Sequence, residues 1–244
     1  MLAPNAITPI TVRAYDDTLR ASLIGCMVES FSHFPWASWA LCPHCLSHSV
    51  NRQTYICNGC QSKIAQHHDR SLANQYLNNL QKRNIQLITA LDGENVVGFK
   101  AFQRTDWRTF NRHKLQLPSS LISEFQSTLG GYLIGTWGMG VTPDYQQHGI
   151  GRLLMAAIED SQIPLISRLL NNPDSATWRF HQKLGFHILH QYADKNRAVI
   201  AKIPQRMSGC ISHLPHQLSV YELEQAGIHF TSPLKQTKKK ASTQ

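Results

Sequence analysis

Residues 138–155 read "GMGVTPDYQQHGIGRLLM", and they contain the most informative pattern in the chain. A strand ends before Pro143, and a loop then brings Gly149 and Gly151 to the first turn of a helix. Glycines at such a position let the backbone approach a ligand closely. The start of a helix also offers unpaired N–H groups and a positive dipole end, here next to the charge of Arg152. The stretch therefore indicates a pyrophosphate site, with an ordinary glycine-containing turn as the alternative.

The segments around this stretch alternate between the periodicities of strands and helices. The sequence predicts a strand at 10–16, helices at 17–31 and 69–84, a hairpin at 85–104, a strand at 131–141, a helix at 149–160, a strand at 163–170, a helix at 175–186, and two strands within 187–203. Residues 105–130 are polar and irregular, which indicates an insertion or a long loop. Helices alternate with strands in the second half, so we expect a mixed sheet covered on both faces.

Three motifs occur in a fixed order in the second half of the chain. V-x-P at 141–143 is followed by Q-x-x-G-x-G at 146–151 and, after one more strand, by "FHQKLGF" at 180–186. This combination resembles the GNAT superfamily of N-acetyltransferases, whose acetyl-CoA signature is V-x-P followed by Q/R-x-x-G-x-G/A. The pattern is not a Walker loop, because no Gly-Lys-Ser or Gly-Lys-Thr follows.

The resemblance implies an α/β (α+β) fold over residues 8–203, with a mixed, mostly antiparallel central sheet flanked by helices. It also implies an enzyme that moves an acetyl group from the thioester of acetyl-CoA to a primary amine by direct attack. The expected partners are acetyl-CoA and an amine acceptor, which is either a small molecule or a protein.

The same resemblance places acetyl-CoA on the end of the strand and on the loop that follows it. Backbone groups of residues 139–141 would bind the pantetheine arm, and an N–H near Val141 would act as the oxyanion donor. Residues 147–152 would wrap the pyrophosphate, and an asparagine after the fifth strand often contacts the cofactor in this family. The expected cofactor-binding residues are Met139, Gly140, Val141, Gln146, Gln147, His148, Gly149, Ile150, Gly151, Arg152 and Asn172.

The family usually has a tyrosine in the last helix, where it protonates the departing thiolate of CoA. This chain has His181 there, four residues before Gly185. An imidazolium with a pKa near 6.5 is a competent acid toward a thiol with a pKa of about 8.5, so His181 is the expected catalytic residue. The alternative is a surface histidine, with water protonating the thiolate. The family often has an acidic general base on the strand at 131–141, but this strand contains no Asp, Glu or His. Without such a base, alignment of the amine with the thioester and the oxyanion donor would supply most of the rate enhancement.

Four cysteines between the first two helices follow the pattern C-x2-C-x11-C-x2-C. Two C-x-x-C turns can present four thiolates to one tetrahedral ion, which favours a structural Zn²⁺ site over a pair of disulfides or a redox pair. Four protein ligands leave no position for a catalytic water. The expected ligands of this zinc ribbon, an insertion at 40–63, are Cys42, Cys45, Cys57 and Cys60.

The position of the ribbon in the chain bears on its role. In folds that resemble GNAT enzymes, the connection between the first two helices helps form the acceptor side of the cleft. The ribbon, with the aromatic segment 34–39 before it, would therefore shape or cover the acceptor pocket. The alternative is a zinc-ribbon module that binds nucleic acid or a protein partner on a catalytically idle scaffold. The missing tyrosine and base favour this alternative, and the intact Q-x-x-G-x-G loop opposes it.

Composition limits the remaining possibilities. The chain has 244 residues, 42% of them apolar, and a formal charge of +9. It contains no run of about 18 apolar residues and no secretory signal, so we expect a cytoplasmic protein without a membrane partner. Residues 204–244 form a C-terminal extension, and its end at 233–244 holds four lysines and no acid. That tail indicates a disordered end, with an arm for nucleic acid as the less favoured interpretation.

Overall fold

The computed structural model describes residues 9–31, 42–46, 50–51, 54–57, 60–63, 69–193 and 197–207. The aromatic segment at 34–39 and the basic tail at 233–244 lie outside the described residues. The strands are β1 (Thr11–Ala14), β2 (Val50–Asn51), β3 (Ile56–Cys57), β4 (Gln86–Asp92), β5 (Asn95–Asp106), β6 (Tyr132–Val141), β7 (Leu165–Leu170), β8 (His187–Gln191) and β9 (Arg197–Lys202). The helices are α1 (Arg20–Phe31), α2 (Asp69–Lys82), α3 (Trp107–Phe110), α4 (Ser119–Leu129), α5 (Ile150–Ala156) and α6 (Ala176–Lys183).

Seven strands form one sheet in the order β1-β4-β5-β6-β7-β9-β8, and β2 and β3 form a separate hairpin. Neighbouring strands of the large sheet are antiparallel except β6 and β7, which are parallel. A parallel pair needs a crossover connection, and the segment that contains α5 supplies it. The sheet is therefore mixed and mostly antiparallel, as predicted.

Side chains alternate between the two faces of the sheet, and each face has its own helices. Phe99 and Trp137 pack in a core with residues of α1, α2, α3 and α4. Ile134 and Ile200 pack in a second core with residues of α5 and α6. We call these two sides the α1–α4 face and the α5–α6 face. Helices on both faces confirm the predicted fold class.

The parallel strands β6 and β7 separate after a short contact. They pair only at Ile134 with Leu165 and at Gly135 with Ile166. β6 also contains a bulge, because Ala101 of β5 lies opposite two residues of β6 between the registered pairs. Beyond the second pair, no strand of the described residues pairs with the edge of β6 that faces β7. We call this opening in the sheet the β6–β7 gap.

Residues 105–130, predicted to be an insertion or a long loop, are largely helical. β5 continues to Asp106, whose side chain accepts a hydrogen bond from the Thr109 N–H and caps α3. A π-helix at Asn111–Leu115 and then α4 follow. Polar residues between the apolar positions obscured the helical spacing of this segment. Its buried apolar residues are Trp107, Phe110, Leu115, Leu121, Ile122, Phe125 and Leu129.

The other predicted elements are present, with changed ends. The first helix opens with a 3-10 turn at Asp17–Leu19 before α1, and the helix predicted at 149–160 spans only Ile150–Ala156. The four cysteines lie between α1 and α2. Within the described ranges, no helix is long and apolar enough to cross a membrane.

Candidate active site

The loop between β6 and α5 presents a run of backbone donors. A 3-10 turn at Pro143–Tyr145 begins the loop, and the Leu153 N–H bonds to the Gly149 carbonyl at 3.1 Å as α5 starts. Between them, no N–H from residues 147 to 152 donates to a backbone carbonyl of the described chain. A run of donors beside the exposed Arg152 suits an anion. The geometry thus fits the pyrophosphate site that the sequence predicts.

The two glycines of this loop are needed for different reasons. Gly149 has a φ of +84°, a left-handed conformation that favours glycine, and it caps α5. A Cβ at Gly151 would lie 3.1 Å from the Phe180 ring of α6. The first glycine therefore sets the turn, and the second lets α5 and α6 approach each other. Gln147, with a φ of +67°, and His148 are exposed in the loop before them.

The end of β6 lies next to the β6–β7 gap. Gly140 is packed so closely that a Cβ there would come within 2.6 Å of Phe99 and 2.7 Å of Ser30. The Gln146 side chain donates to the Val141 carbonyl at 3.1 Å and so ties the loop to the strand. Because no described strand pairs with this edge beyond Gly135, its backbone groups can bond to a ligand in the gap.

Two of the predicted cofactor residues have structural roles. Ile150 is buried beneath the loop and packs in a core with Leu154. Asn172 accepts a hydrogen bond on its side chain from the Asp174 N–H at 3.1 Å, and its carbonyl accepts from the Ser175 N–H at 3.0 Å. These bonds shape the turn before α6. A contact between Asn172 and the cofactor stays a prediction.

His181 of α6 is buried, with 6% of its surface exposed. Its Nδ1 lies 2.8 Å from the Thr177 carbonyl, so Nδ1 carries a hydrogen and donates it. Phe180 and Phe186 make edge-on contacts with the ring. Burial lowers the pKa of His181 to about 4, and the ring is therefore neutral near pH 7. The alternative of a surface histidine is wrong, and the imidazolium that the sequence argument assumed is not the resting form.

Lys100 of β5 is a buried cation that sequence reasoning missed. Its neighbours Phe99 and Ala101 belong to the α1–α4 face, so the lysine side chain lies on the α5–α6 face. Lys100 pairs across the sheet with Met139, near the end of β6. Burial lowers the pKa of Lys100 to about 7, and the charge of Lys100 contributes to the lowered pKa of His181. A lysine within the apolar run "VVGFKAF" was the available signal.

Two further cations are buried on the α1–α4 side of the gap. Lys114 belongs to the π-helix, and its Nζ lies 4.9 Å from the centroid of the Trp137 ring. Arg168 lies on β7, two residues beyond the last pair with β6. Lys114 and Arg168 are 5% and 8% exposed. Burial, and then the charges of Arg168 and Lys100, lower the pKa of Lys114 well below its usual value.

The four predicted metal ligands, Cys42, Cys45, Cys57 and Cys60, come together in space. Their Sγ atoms all lie within 4.8 Å of one another, with 3.8 Å between Cys42 and Cys60 and 3.7 Å between Cys45 and Cys57. Four sulfurs bound tetrahedrally at about 2.3 Å are about 3.8 Å apart, so the cluster fits a single ion. A disulfide needs an S–S distance of about 2.05 Å, so the paired-disulfide alternative does not fit.

The four-cysteine cluster is fastened to α2. The amide of Asn79 donates to the Pro43 carbonyl at 2.8 Å, and the guanidinium of Arg83 donates to the His44 carbonyl at 2.5 Å. Leu46, in the same turn, is buried in the core of the α1–α4 face. The cluster therefore packs on the α1–α4 face.

The cluster also lies within electrostatic range of the buried cations. A charge on Cys45 opposes the lowering of the pKa of both Lys114 and Arg168. Cys42 and Cys57 belong to the same core as Trp137, so the cluster lies on the same face of the sheet as these cations. A role of the cysteine segment in shaping an acceptor pocket stays a prediction.

One family model matches the central part of the chain. The model for the acetyltransferase (GNAT) domain matches residues 83–188, which extend from the end of α2 into β8 and leave out the four cysteines. No curated protein matches the chain.

Solved structures of acetyltransferases resemble this chain at low identity. The Salmonella typhimurium protein yncA, solved with its cofactor acetyl-CoA, is 14% identical, with a TM-score of 0.47 over 80% of this chain and 94% of that chain. The PaiA N-acetyltransferase of Thermoplasma acidophilum, solved with coenzyme A, is 12% identical, with a TM-score of 0.47 over 80% and 99%. The ribosomal-protein-alanine N-acetyltransferase of Brucella melitensis is 14% identical, with a TM-score of 0.45 over 79% and 99%. At these scores, the three structures assign neither a site residue nor an acceptor.

Proposed function

We propose that this chain, which carries a GNAT acetyltransferase domain over residues 83–188, transfers an acetyl group from acetyl-CoA to a primary amine. The amine attacks the thioester directly, and no covalent enzyme intermediate forms. The observation that carries this proposal is the run of unbonded N–H groups at 147–152 beside the β6–β7 gap. An anion site next to an opening in the sheet suits a coenzyme with a pyrophosphate and a reactive thioester.

The coenzyme binds along the α5–α6 face. Its pyrophosphate accepts hydrogen bonds from the loop N–H groups and attracts Arg152, while the pantetheine arm follows the unpaired edge of β6. The thioester then lies in the gap, where a backbone N–H near Val141 polarises its carbonyl. The amine approaches from the α1–α4 side, because the coenzyme fills the other side. Holding the amine against the thioester supplies most of the rate enhancement.

Lys100, rather than His181, donates the proton to the departing sulfur. As the amine nitrogen bonds to the acetyl carbon, the carbon–sulfur bond breaks and leaves a thiolate. The His181 ring is neutral because its pKa is about 4, and its one N–H is held by Thr177. Lys100 has a pKa of about 7, below the ~8.5 of a thiol, so its ammonium is a competent acid. The neutral Lys100 then takes up, through water, the proton that the acetylated nitrogen loses.

The four-cysteine cluster holds one Zn²⁺ ion in a structural site. All four ligands are cysteines, and their spacing fits tetrahedral coordination, so no position is left for a catalytic water. The ion stabilises the segment between α1 and α2 on the face from which the acceptor approaches. The cluster therefore shapes the acceptor site without taking part in the chemistry.

Calorimetry with two matched ligands tests this proposal. Acetyl-CoA is expected to bind the purified protein, whereas acetyl-pantetheine, which lacks the pyrophosphate, is expected to bind on the order of tenfold more weakly. Release of CoA that depends on an added amine, together with detection of the acetylated amine by chromatography, then establishes transfer. Absence of acetyl-CoA binding overturns the proposal and leaves the alternative of a zinc-ribbon module on an idle scaffold. Equal affinity for the two ligands would exclude the loop as the pyrophosphate site.

A further inference from the structure

We propose that the amine acceptor carries a carboxylate, and that Lys114 and Arg168 bind this carboxylate beside the β6–β7 gap. The inference rests on the proposed function, because it names the chemical class of the acceptor for the same site. The acceptor is a small molecule that has both an amino group and a carboxylate, as an amino acid does. Its amine lies in the gap, and its carboxylate lies on the α1–α4 side.

The π-helix at Asn111–Leu115 brings Lys114 to the point where β6 leaves β7. Phe110, just before the π-helix, packs on Gly135 so closely that a Cβ on this glycine would come within 2.3 Å of the ring. Gly135 belongs to the last residue pair that joins β6 to β7. Since π-helices are rare and occur frequently at functional sites, the position of this one over Trp137 points to a role for the lysine it carries.

Arg168 lies on β7, across the β6–β7 gap from β6 and its neighbour Lys114. It lies two residues after Ile166, the last residue of β7 paired with β6, and so on the same face as Ile166, which is part of the α1–α4 core. The Tyr192 hydroxyl donates to the carbonyl of Leu115 in the π-helix, and Tyr192 also interacts with Arg168. The charge of Arg168 lowers the pKa of Lys114, so the two cations are close together. Lys114 lies on the π-helix that packs over β6, and Arg168 lies on β7.

Lys114 and the Trp137 indole lack acceptors among the described residues. Lys114 forms no ion pair with a carboxylate in the described ranges, where the ion pairs join other residues. The indole N–H of Trp137 is buried and donates to no acceptor in the same ranges. Burying a cation and a donor without acceptors is unfavourable. A bound carboxylate supplies oxygens for both groups, and it is also the preferred partner of a guanidinium.

The four-cysteine cluster is the competing source of negative charge. Four thiolates around one Zn²⁺ carry a net negative charge, and Cys45 acts electrostatically on Lys114 and Arg168. If the two cations served only the cluster, removing one would weaken metal binding and leave the choice of acceptor unchanged. A Lys114 variant would therefore lose metal affinity if the lysine serves the cluster, and the preference for a carboxylate-bearing acceptor if the lysine binds that carboxylate.

Matched acceptors test the inference on the unmodified protein. Amino acids are compared with the amines that differ from them only by loss of the carboxylate. We expect at least one amino acid to have a kcat/KM on the order of tenfold or more above its matched amine. Equal values in every pair, in a protein that binds acetyl-CoA and acetylates amines, would overturn the inference and leave the proposed function intact. Failure of acetyl-CoA to bind in calorimetry is instead the failure of the proposed function.

The variant Lys114→Met assigns the preference to a residue. Its preference for the amino acid over the matched amine is expected to fall about tenfold, through KM. The amino acid is also expected to raise the Tm of the wild type in the presence of CoA and not that of the variant, a readout that needs no turnover. Lys82→Met, at the exposed end of α2, is the control and is expected to keep both properties. A Lys114→Met protein that loses metal but keeps the preference would overturn the inference. If this variant does not fold, the matched acceptors decide alone.

Discussion

The two faces of the β6–β7 gap offer ligands different chemistry. The α5–α6 face offers backbone: the N–H groups at 147–152, the turn at Gly149 and the unpaired edge of β6. The α1–α4 face offers side chains, namely the cations Lys114 and Arg168 and the indole of Trp137. Backbone donors depend on the path of the chain, which members of a domain family share, whereas the side chains are free to differ. On the proposed function, coenzyme binding therefore belongs to the domain, and acceptor choice belongs to this chain.

Each face also holds a buried lysine, and the two differ in their surroundings. Burial alone lowers the pKa of Lys100 to about 7, which suits a group that gives and takes a proton near neutrality. The pKa of Lys114 is lowered by burial and also by the neighbouring cations Arg168 and Lys100. A bound anion would restore the charge of Lys114, so this lysine is suited to binding rather than to proton transfer.

On the proposed function, loss of the four-cysteine cluster is expected to have the largest effect, because two of its cysteines are buried in the core of the α1–α4 face. Cys42 is fully buried in the core of that face. Replacing it, in Cys42→Ser, is expected to abolish stoichiometric metal binding and to lower the free energy of unfolding by more than ~5 kcal/mol. Metal analysis and urea unfolding measure the two quantities. Cys26→Ala, at a buried cysteine of α1 outside the cluster, is the control and should cost about 1 kcal/mol. Wild-type protein that is stable without metal would contradict the structural role.

Removing Lys100 is expected to stabilise the protein and to slow the reaction. Folding lowers the pKa of Lys100 from 10.5 to about 7, so the unfolded chain binds this proton first as the pH falls. Stability is then highest above pH 10.5 and is lost as the pH falls through 7, by on the order of 5 kcal/mol in all. In Lys100→Met this loss disappears, so the variant is more stable than the wild type at pH 7. Its kcat is expected to fall on the order of 100-fold.

Urea unfolding between pH 6 and pH 10, together with steady-state kinetics, tests both expectations for Lys100. The exposed Lys82→Met is again the control, because its ammonium stays in water in the folded and unfolded states. A Lys100→Met variant with the pH dependence of the wild type would show that the lysine is not buried as described. An unchanged kcat would remove Lys100 from the mechanism and weaken the distinction between the two lysines.

His181→Phe is expected to have a smaller effect, mainly on stability in acid. Folding lowers the pKa of His181 from 6.5 to about 4. The wild type therefore keeps its full stability above about pH 6.5 and loses on the order of 3 kcal/mol as the pH falls through 4. The variant, which has no proton to gain, should have a flatter profile in urea unfolding at pH 4 to 7. Its kcat near pH 7 should fall much less than that of Lys100→Met, and an equal fall would return the role of proton donor to His181.

The α5–α6 face could be predicted from the sequence because its chemistry is local. The strand end, the loop and the glycines form one contiguous stretch, and the N–H groups of residues 147–152 donate to no backbone carbonyl of the described residues. That they bind a pyrophosphate stays a prediction. The four cysteines are a similar case, since two short turns are enough to determine which atoms meet. In both cases the spacing along the chain sets the geometry.

The α1–α4 face could not be predicted in the same way, because it is assembled from distant segments. Lys114, Trp137 and Arg168 come from three elements, and one of these is a π-helix in a stretch that looked like a loop. The protonation state of His181 was also out of reach, because it depends on burial in the folded protein and on the charge of Lys100, which is distant in the sequence. Lys100 was missed for the related reason that a lysine in a strand is usually exposed.

The smallest expected effect comes from two glycines that share a backbone conformation. Gly149 and Gly93 have φ values of +84° and +58°, and a Cβ at either would meet no atom within 4 Å. Alanine at either position should therefore cost about 1 kcal/mol of backbone strain, measured by urea unfolding. Only Gly149 lies within the run of loop donors, so only Gly149→Ala should weaken acetyl-CoA binding in calorimetry, by about fivefold. If both variants bound acetyl-CoA equally well, the loop N–H groups would not hold the coenzyme, and the contrast between a backbone face and a side-chain face would lose its basis.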